Sequence, residues 1–190
     1  NSPAHLYTHL LLMSDRSGQI GILNSGFDNL WGAGKLRLRT FDDAGLDGPA
    51  RFVTGSTCVS HGETVNITLT PDGPLDANVD VVRVVAWWYQ EKHDDGTEAV
   101  NDIDLRLQRQ QSTFPFGWIT IRSSSNNDHK QQVTYLNPSP WNMRFQLVGN
   151  NVATDGEGCF INGVRVYYAA LWEDNARDDD ATLSTYVRPW

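Results

Sequence analysis

Two carboxylates, Asp102 and Asp104, stand two residues apart in a segment where Ile103, Leu105 and Leu107 alternate with polar residues. On a regular strand both would point to the face opposite those aliphatic side chains. Hard oxygen donors of this kind suit calcium, with Asp94, Asp95 or a backbone carbonyl completing the shell. The same residues also suit a plainer task, in which Asp102 accepts from neighbouring amides and fixes the loop before the strand. No EF-hand spacing is present. As a glycosidase pair they would lie about 7 Å apart, which inverting chemistry allows, but side by side on one strand they leave no substrate cleft between them.

The other chemistry-bearing residues are dispersed. His5 and His9 are four apart with no glutamate between them and no evident third metal ligand, so they read as a partly buried helix face. The two cysteines, Cys58 and Cys159, each lie beside a strand-like segment. They form either one disulfide or two buried thiols. A disulfide there would close a loop of roughly 100 residues and stabilise the fold by about 4 to 5 kcal/mol in the chain-entropy model. No CxxC pair or zinc spacing occurs. Asn66-Ile67-Thr68 is a glycosylation sequon, read as coincidental because it falls in a strand. The seven tryptophans are many for 190 residues. Trp87 and Trp88 point to opposite faces of one strand, so one enters the core and the other is partly exposed. Trp88, Trp118 and Trp141 are the candidates for a platform that stacks on sugar or peptide, although aromatic rings also fill sandwich cores.

The elements that hold these residues follow from periodicity. Pro3 to Asp15 places Leu6, Leu10 and Met13 at helical spacing, behind Ser2 as N-cap and proline at the first helical position. Ser17-Gly18 is the expected stop. Gly21 to Gly55 carries seven glycines, at 21, 26, 32, 34, 45, 48 and 55, and reads as a connecting loop. Strand patterns begin after residue 60. They are Thr64–Thr70, the apolar run Val81–Tyr89, the Ile103–Leu107 alternation, Trp118–Arg122, Gln132–Leu136, Met143–Leu147 and Val164–Trp172. About seven strands with turn-rich links and no intervening helices predict a mainly β fold, an antiparallel jelly-roll-like β-sandwich with one short N-terminal helix.

Net charge bounds the partners. With 15 Lys and Arg against 23 Asp and Glu, the net charge of -8 repels phosphate backbones and anionic membranes. Neither nucleic acid nor a membrane is therefore an expected partner. The longest apolar run near the start, Leu10 to Met13, is far short of a span of roughly 20 residues.

Two stretches resemble the subtilases, the subtilisin-like serine proteases. Leu11-Leu12-Met13-Ser14 followed by Leu30-Trp31-Gly32-Ala33-Gly34-Lys35-Leu36 is similar to the late helix and Trp-Gly-x-Gly turn that end the catalytic domain. Val82 to Trp88, followed by Asn101-Asp102-Ile103-Asp104-Leu105, resembles the jelly-roll domain after it and the related pre-peptidase C-terminal domains. On this resemblance Trp31, Gly32, Gly34, Asn101, Asp102 and Asp104 are structural-motif positions. Residues 1–45 would be the edge of a catalytic domain and residues 46–190 the sandwich. The family's Gly-Thr-Ser-x-Ala, Asp-Thr/Ser-Gly and His-Gly-Thr motifs are missing, and His61-Gly62 is followed by Glu63. No Ser-His-Asp triad assembles. The resemblance implies a secreted, non-catalytic accessory domain whose partner is a subtilisin-like protease domain. The alternative is a module that binds carbohydrate or matrix protein through exposed tryptophans.

Overall fold

The computed structural model describes residues 3–12, 14–15, 35–36, 51–70, 73–75, 79, 81–89, 101–114, 116–125, 129–136, 138, 140–152, 159 and 163–173. Helix α1 spans Pro3–Leu12 and ends three residues earlier than its apolar spacing predicts. Ser14–Asp15 (β1) leaves the helix to pair antiparallel with Lys35–Leu36 (β2). Eight longer strands follow: β3 (Arg51–Val59), β4 (Thr64–Thr68), β5 (Val81–Trp88), β6 (Asp102–Gln111), β7 (Gly117–Ser124), β8 (Lys130–Leu136), β9 (Met143–Asn151) and β10 (Val164–Glu173).

They form two antiparallel sheets of four, in the orders β3-β10-β5-β8 and β4-β9-β6-β7. Each consecutive pair from β3 to β10 lies in different sheets, except β6 and β7. The chain is thus one long hairpin, with β3 on β10, β4 on β9, β5 on β8 and β6 on β7, rolled over into two sheets. This is a jelly roll, and the prediction of a jelly-roll-like sandwich holds.

The interior follows from alternation. Ile103, Leu105 and Leu107 meet Met143, Phe145 and Leu147 on the inner side of one sheet, all fully buried. Val82, Val84, Ala86 and Trp88 come from β5 of the other sheet. Burial of each aliphatic side chain is worth roughly 1.5 to 3 kcal/mol, so this layer dominates the stability of the sandwich.

β3 departs from expectation, since its stretch up to Gly55 reads as loop. Gly55 sits opposite Tyr168 on β10, and a Cβ built on it would come within 2.5 Å of the Tyr168 hydroxyl. The glycine makes room for a cross-strand ring and does not mark a break. His61 and Gly62 form the turn between β3 and β4, with φ of 74° at Gly62. The Gly62 amide donates to the Gly149 carbonyl at 2.7 Å, and the Gly149 amide donates to Glu63 at 3.0 Å, which pins the turn to β9. His61-Gly62 is therefore a tight-turn element. Cys58 and Cys159 form a disulfide with a Cα–Cα distance of 5.8 Å. It joins the end of β3 to the segment before β10, at the inner end of the outermost strand pair of the long hairpin, and a disulfide is compatible with an extracellular protein.

Candidate functional sites on the two outer faces

A two-sheet sandwich has two outer faces, and here they differ. On the sheet β3-β10-β5-β8 the outward residues at the centre form an apolar cluster: Val85 and Trp87 from β5, and Ala169, Leu171 and Tyr167 from β10. Helix α1 lies over them and buries Ala4, Leu11 and Leu12. Arg83 donates from its guanidinium to the Leu12 carbonyl at 3.0 Å, closing the last turn of the helix where carbonyls lack partners. Thr8 is buried and donates to the Ala4 carbonyl at 2.8 Å. His9 lies 3.2 Å from the Thr54 hydroxyl. Burial, and secondarily the neighbouring His5, push the His9 imidazole below its ordinary pKa. The helix is not saturated by this packing. Leu6, Tyr7 and Leu10 remain exposed, and Tyr89 joins them through edge contacts in which Trp87 lies 5.0 Å from Tyr7 and 4.4 Å from Tyr89.

The outer face of β4-β9-β6-β7 has the opposite character. Register sets its rows: Asn66 faces Gln146, which faces Arg106, and Thr68 faces Arg144, which faces Gln108, which faces Thr120. Hydrogen bonds run along these rows. Gln146 Nε2 donates to Asn66 Oδ1 at 2.8 Å, Arg144 Nε to Gln108 Oε1 at 2.8 Å, and Gln108 Nε2 to Thr120 Oγ1 at 3.1 Å. Asn142 Nδ2 donates to Gln110 Oε1 at 2.7 Å. The Arg144 guanidinium also lies 4.4 Å from the centre of the Trp118 ring, a cation–π contact that holds both groups. The result is a shallow surface of amides, hydroxyls and one pinned guanidinium, with a half-buried indole at its margin.

A bulge shapes this face. Between β6 and β7 the register shifts at Leu107/Gln108, so that Leu107 faces Arg122 while Gln108 faces Thr120. A one-residue shift exchanges faces. Arg122, which simple alternation puts beside Trp118, turns toward the other sheet, with its guanidinium 5.2 Å from the Tyr135 ring.

The predicted site residues separate accordingly. Of the three platform tryptophans, Trp88 is fully buried in the core and offers no surface. Its neighbour Trp87 is buried too, because the face it points to is roofed by α1. Trp141 is half-buried against the core with Arg109 4.5 Å from its ring centre, so only Trp118 belongs to the open face. The expected calcium pair is not matched by its surroundings. Asp104 is buried and ion-paired with Arg106 at 3.0 Å, while a second register shift at Asp102/Ile103 breaks the alternation that would align the two carboxylates. No group of three or more His, Cys, Asp or Glu capable of holding a metal exists among the described residues. Asn101 is buried ahead of β6. Trp31, Gly32, Gly34, Asp94 and Asp95, and the division at residue 45, lie outside the described residues. Sequence reasoning passed over Asn66, Gln108, Arg144 and Gln146. The signal was available as the polar half of each alternating strand, opposite Ile67, Leu107, Phe145 and Leu147.

No family model matches the chain, and no curated protein matches it. Among solved structures it is similar to the mitogen YPM derived from Yersinia pseudotuberculosis, at 14% identity over 69% of this chain and 93% of that one, with a TM-score of 0.43. It is also similar to a family 16 carbohydrate-binding module, at 10% identity over 58% of this chain and 70% of that one, with a TM-score of 0.31. Likenesses this distant carry no argument about function.

Proposed function

We propose that the chain is a non-catalytic binding module whose open face, on β4-β9-β6-β7, takes neutral carbohydrate. The observation that carries this reading is the pre-positioned array of Gln108, Arg144, Gln146 and Asn66 beside Trp118. Sugars present hydroxyls that donate and accept at once, and amides match them with both functions in fixed geometry. Arranging the donors beforehand lowers the ordering cost of binding. An indole edge contributes contact for the apolar side of a sugar ring. Titration calorimetry against a panel of neutral and acidic oligosaccharides tests the reading. A saturable heat with a neutral sugar is expected, weakened about tenfold, or about 1.4 kcal/mol, by Trp118→Ala or Gln108→Ala. A flat response to every sugar overturns it.

A second reading rests on a different observation, the exposed row Leu6, Tyr7 and Leu10 with Tyr89 alongside. A contiguous apolar patch of this kind suits docking on another folded domain. Joined to the resemblance of residues 10–38 and 82–107 to subtilases, it makes the chain an accessory domain of a secreted subtilisin-like protease, held against the catalytic domain by α1. Reading the sequence upstream of residue 1 tests this. Gly-Thr-Ser-x-Ala within a few tens of residues supports it, and an unrelated upstream segment removes it. Peptidase turnover by the chain alone, abolished by a serine-directed inhibitor, would contradict the non-catalytic claim shared by both readings.

A further inference from the structure

The connection between β6 and β7 is the one link of the rolled hairpin that stays within a sheet, and its tip is unusual. Phe114 is 85% exposed and Phe116 is 77% exposed, with ring centres 6.5 Å apart at 88°. Neither ring belongs to either buried cluster. Trp118 follows two residues later on β7 and opens onto the polar face. Three aromatic residues, at 114, 116 and 118, thus run from the bend at the hairpin tip onto the polar face of β7.

We infer that this row extends the carbohydrate face beyond the edge of the sheet, so that the ligand is an extended neutral polysaccharide chain. This inference rests on the reading of the open face given above. Phe114 and Phe116 are 6.5 Å apart and Trp118 stands beyond them on the sheet, so the three rings together present more surface than one sugar ring can cover. A chain crossing Gln108 and Arg144 would pass Trp118 and then meet Phe116 and Phe114. The tip continues the chemistry of the face: Gln111, Ser112 and Thr113 supply an amide and two hydroxyls beside the rings, with Gln111 Nε2 donating to Thr113 Oγ1 at 3.4 Å. Residues 110–118 carry no charge. Other occupants fit less well. An anionic lipid surface calls for basic residues around inserted rings, whereas this tip has none in a chain of net charge -8. A stable protein interface needs about 800 Å² on each side, which two rings at a loop tip do not provide.

The test uses the whole chain with xylan, mannan and mixed-linkage β-glucan as soluble polymers, and the matching disaccharides. Because both phenylalanines are exposed, the double variant Phe114→Ala/Phe116→Ala is expected to keep the wild-type melting temperature. It should lose polymer affinity by tenfold or more in affinity electrophoresis while keeping the disaccharide affinity that Trp118→Ala lowers about tenfold. If wild type and the double variant hold the polymers equally while disaccharides still bind, the tip inference falls and the open-face reading stands. If no sugar binds wild type, both fall together. Sedimentation of wild type with neutral phosphatidylcholine vesicles, or a dimer in solution, either one abolished in the double variant, would overturn the inference by assigning the rings to another partner.

Discussion

The two outer faces of the sandwich are built from strands of the same kind, yet one is roofed and the other open. On β5 and β10 the outward positions are Val85, Trp87, Ala169 and Leu171, and a ten-residue helix covers them. On β6 and β9 the outward positions are Arg106, Gln108, Arg144 and Gln146, and they bond to one another across strands. Both inner faces contribute apolar side chains to one core. Alternation alone therefore fixes which residues leave the core, but the chemistry of those residues decides whether the face needs a cover. An apolar outer face commits a sheet to a second layer, while a hydrogen-bonded polar one leaves it free to meet a ligand.

The sharpest way to break this contrast is to remove the ring under the roof. Trp87→Ala should cost about 3 to 5 kcal/mol in urea unfolding, because the cavity lies between helix and sheet. A cost under about 1 kcal/mol would mean that the helix is not a structural layer. On the open face the pattern should invert. Arg144→Ala is expected to change stability by about 1 kcal/mol or less, because it removes half-exposed polar contacts, yet to weaken sugar binding about tenfold. A large loss of stability with unchanged binding would erase the distinction between the faces. Leu10→Asp, on the exposed side of α1, should leave stability within about 0.5 kcal/mol and reduce any association through the helix, read by analytical ultracentrifugation.

The smallest effect concerns pH. His9 lies in the helix–sheet contact with its folded pKa lowered, first by burial and then by His5. The unfolded chain takes up the proton first, so the His9 contribution is complete above the unfolded value of about 6.5 and declines as pH falls through it toward the folded value. Urea midpoints at pH 7.5 and 5.5 should show a drop that His9→Gln reduces. An unchanged slope in that variant would assign the dependence to other groups.

Much of this contrast is written in the sequence, but unevenly. The core strands are legible because Val81–Trp88 and Ile103–Leu107 carry unbroken apolar patterns. β3 is hidden because Gly55, Ser56 and Thr57 mimic a turn, and only the facing Tyr168 explains the glycine. Parity separates Trp87 from Trp88, but it cannot tell that the face receiving Trp87 is covered by a helix more than seventy residues earlier. The displacement of Arg122 from the polar face depends on a single bulged residue, which no periodicity announces. Local pattern determines which way a side chain leaves its strand; what it then meets is a long-range property.

The position of the disulfide has a consequence for cleavage. Cys58 and Cys159 tie the two arms of the rolled hairpin together at the inner end of its outermost strand pair, and Phe114 and Phe116 stand at its far tip. A protease that cuts between the two phenylalanines divides the chain into one arm carrying β3 to β6 and another carrying β7 to β10, each strand of one arm paired with a strand of the other. The arms remain covalently joined and mutually templated. A chain nicked there should run as one band without reductant and as two with it, and should still melt cooperatively until the bridge is reduced. The jelly roll is in this sense a clasped pair of complementary halves, tolerant of a break at its exposed tip.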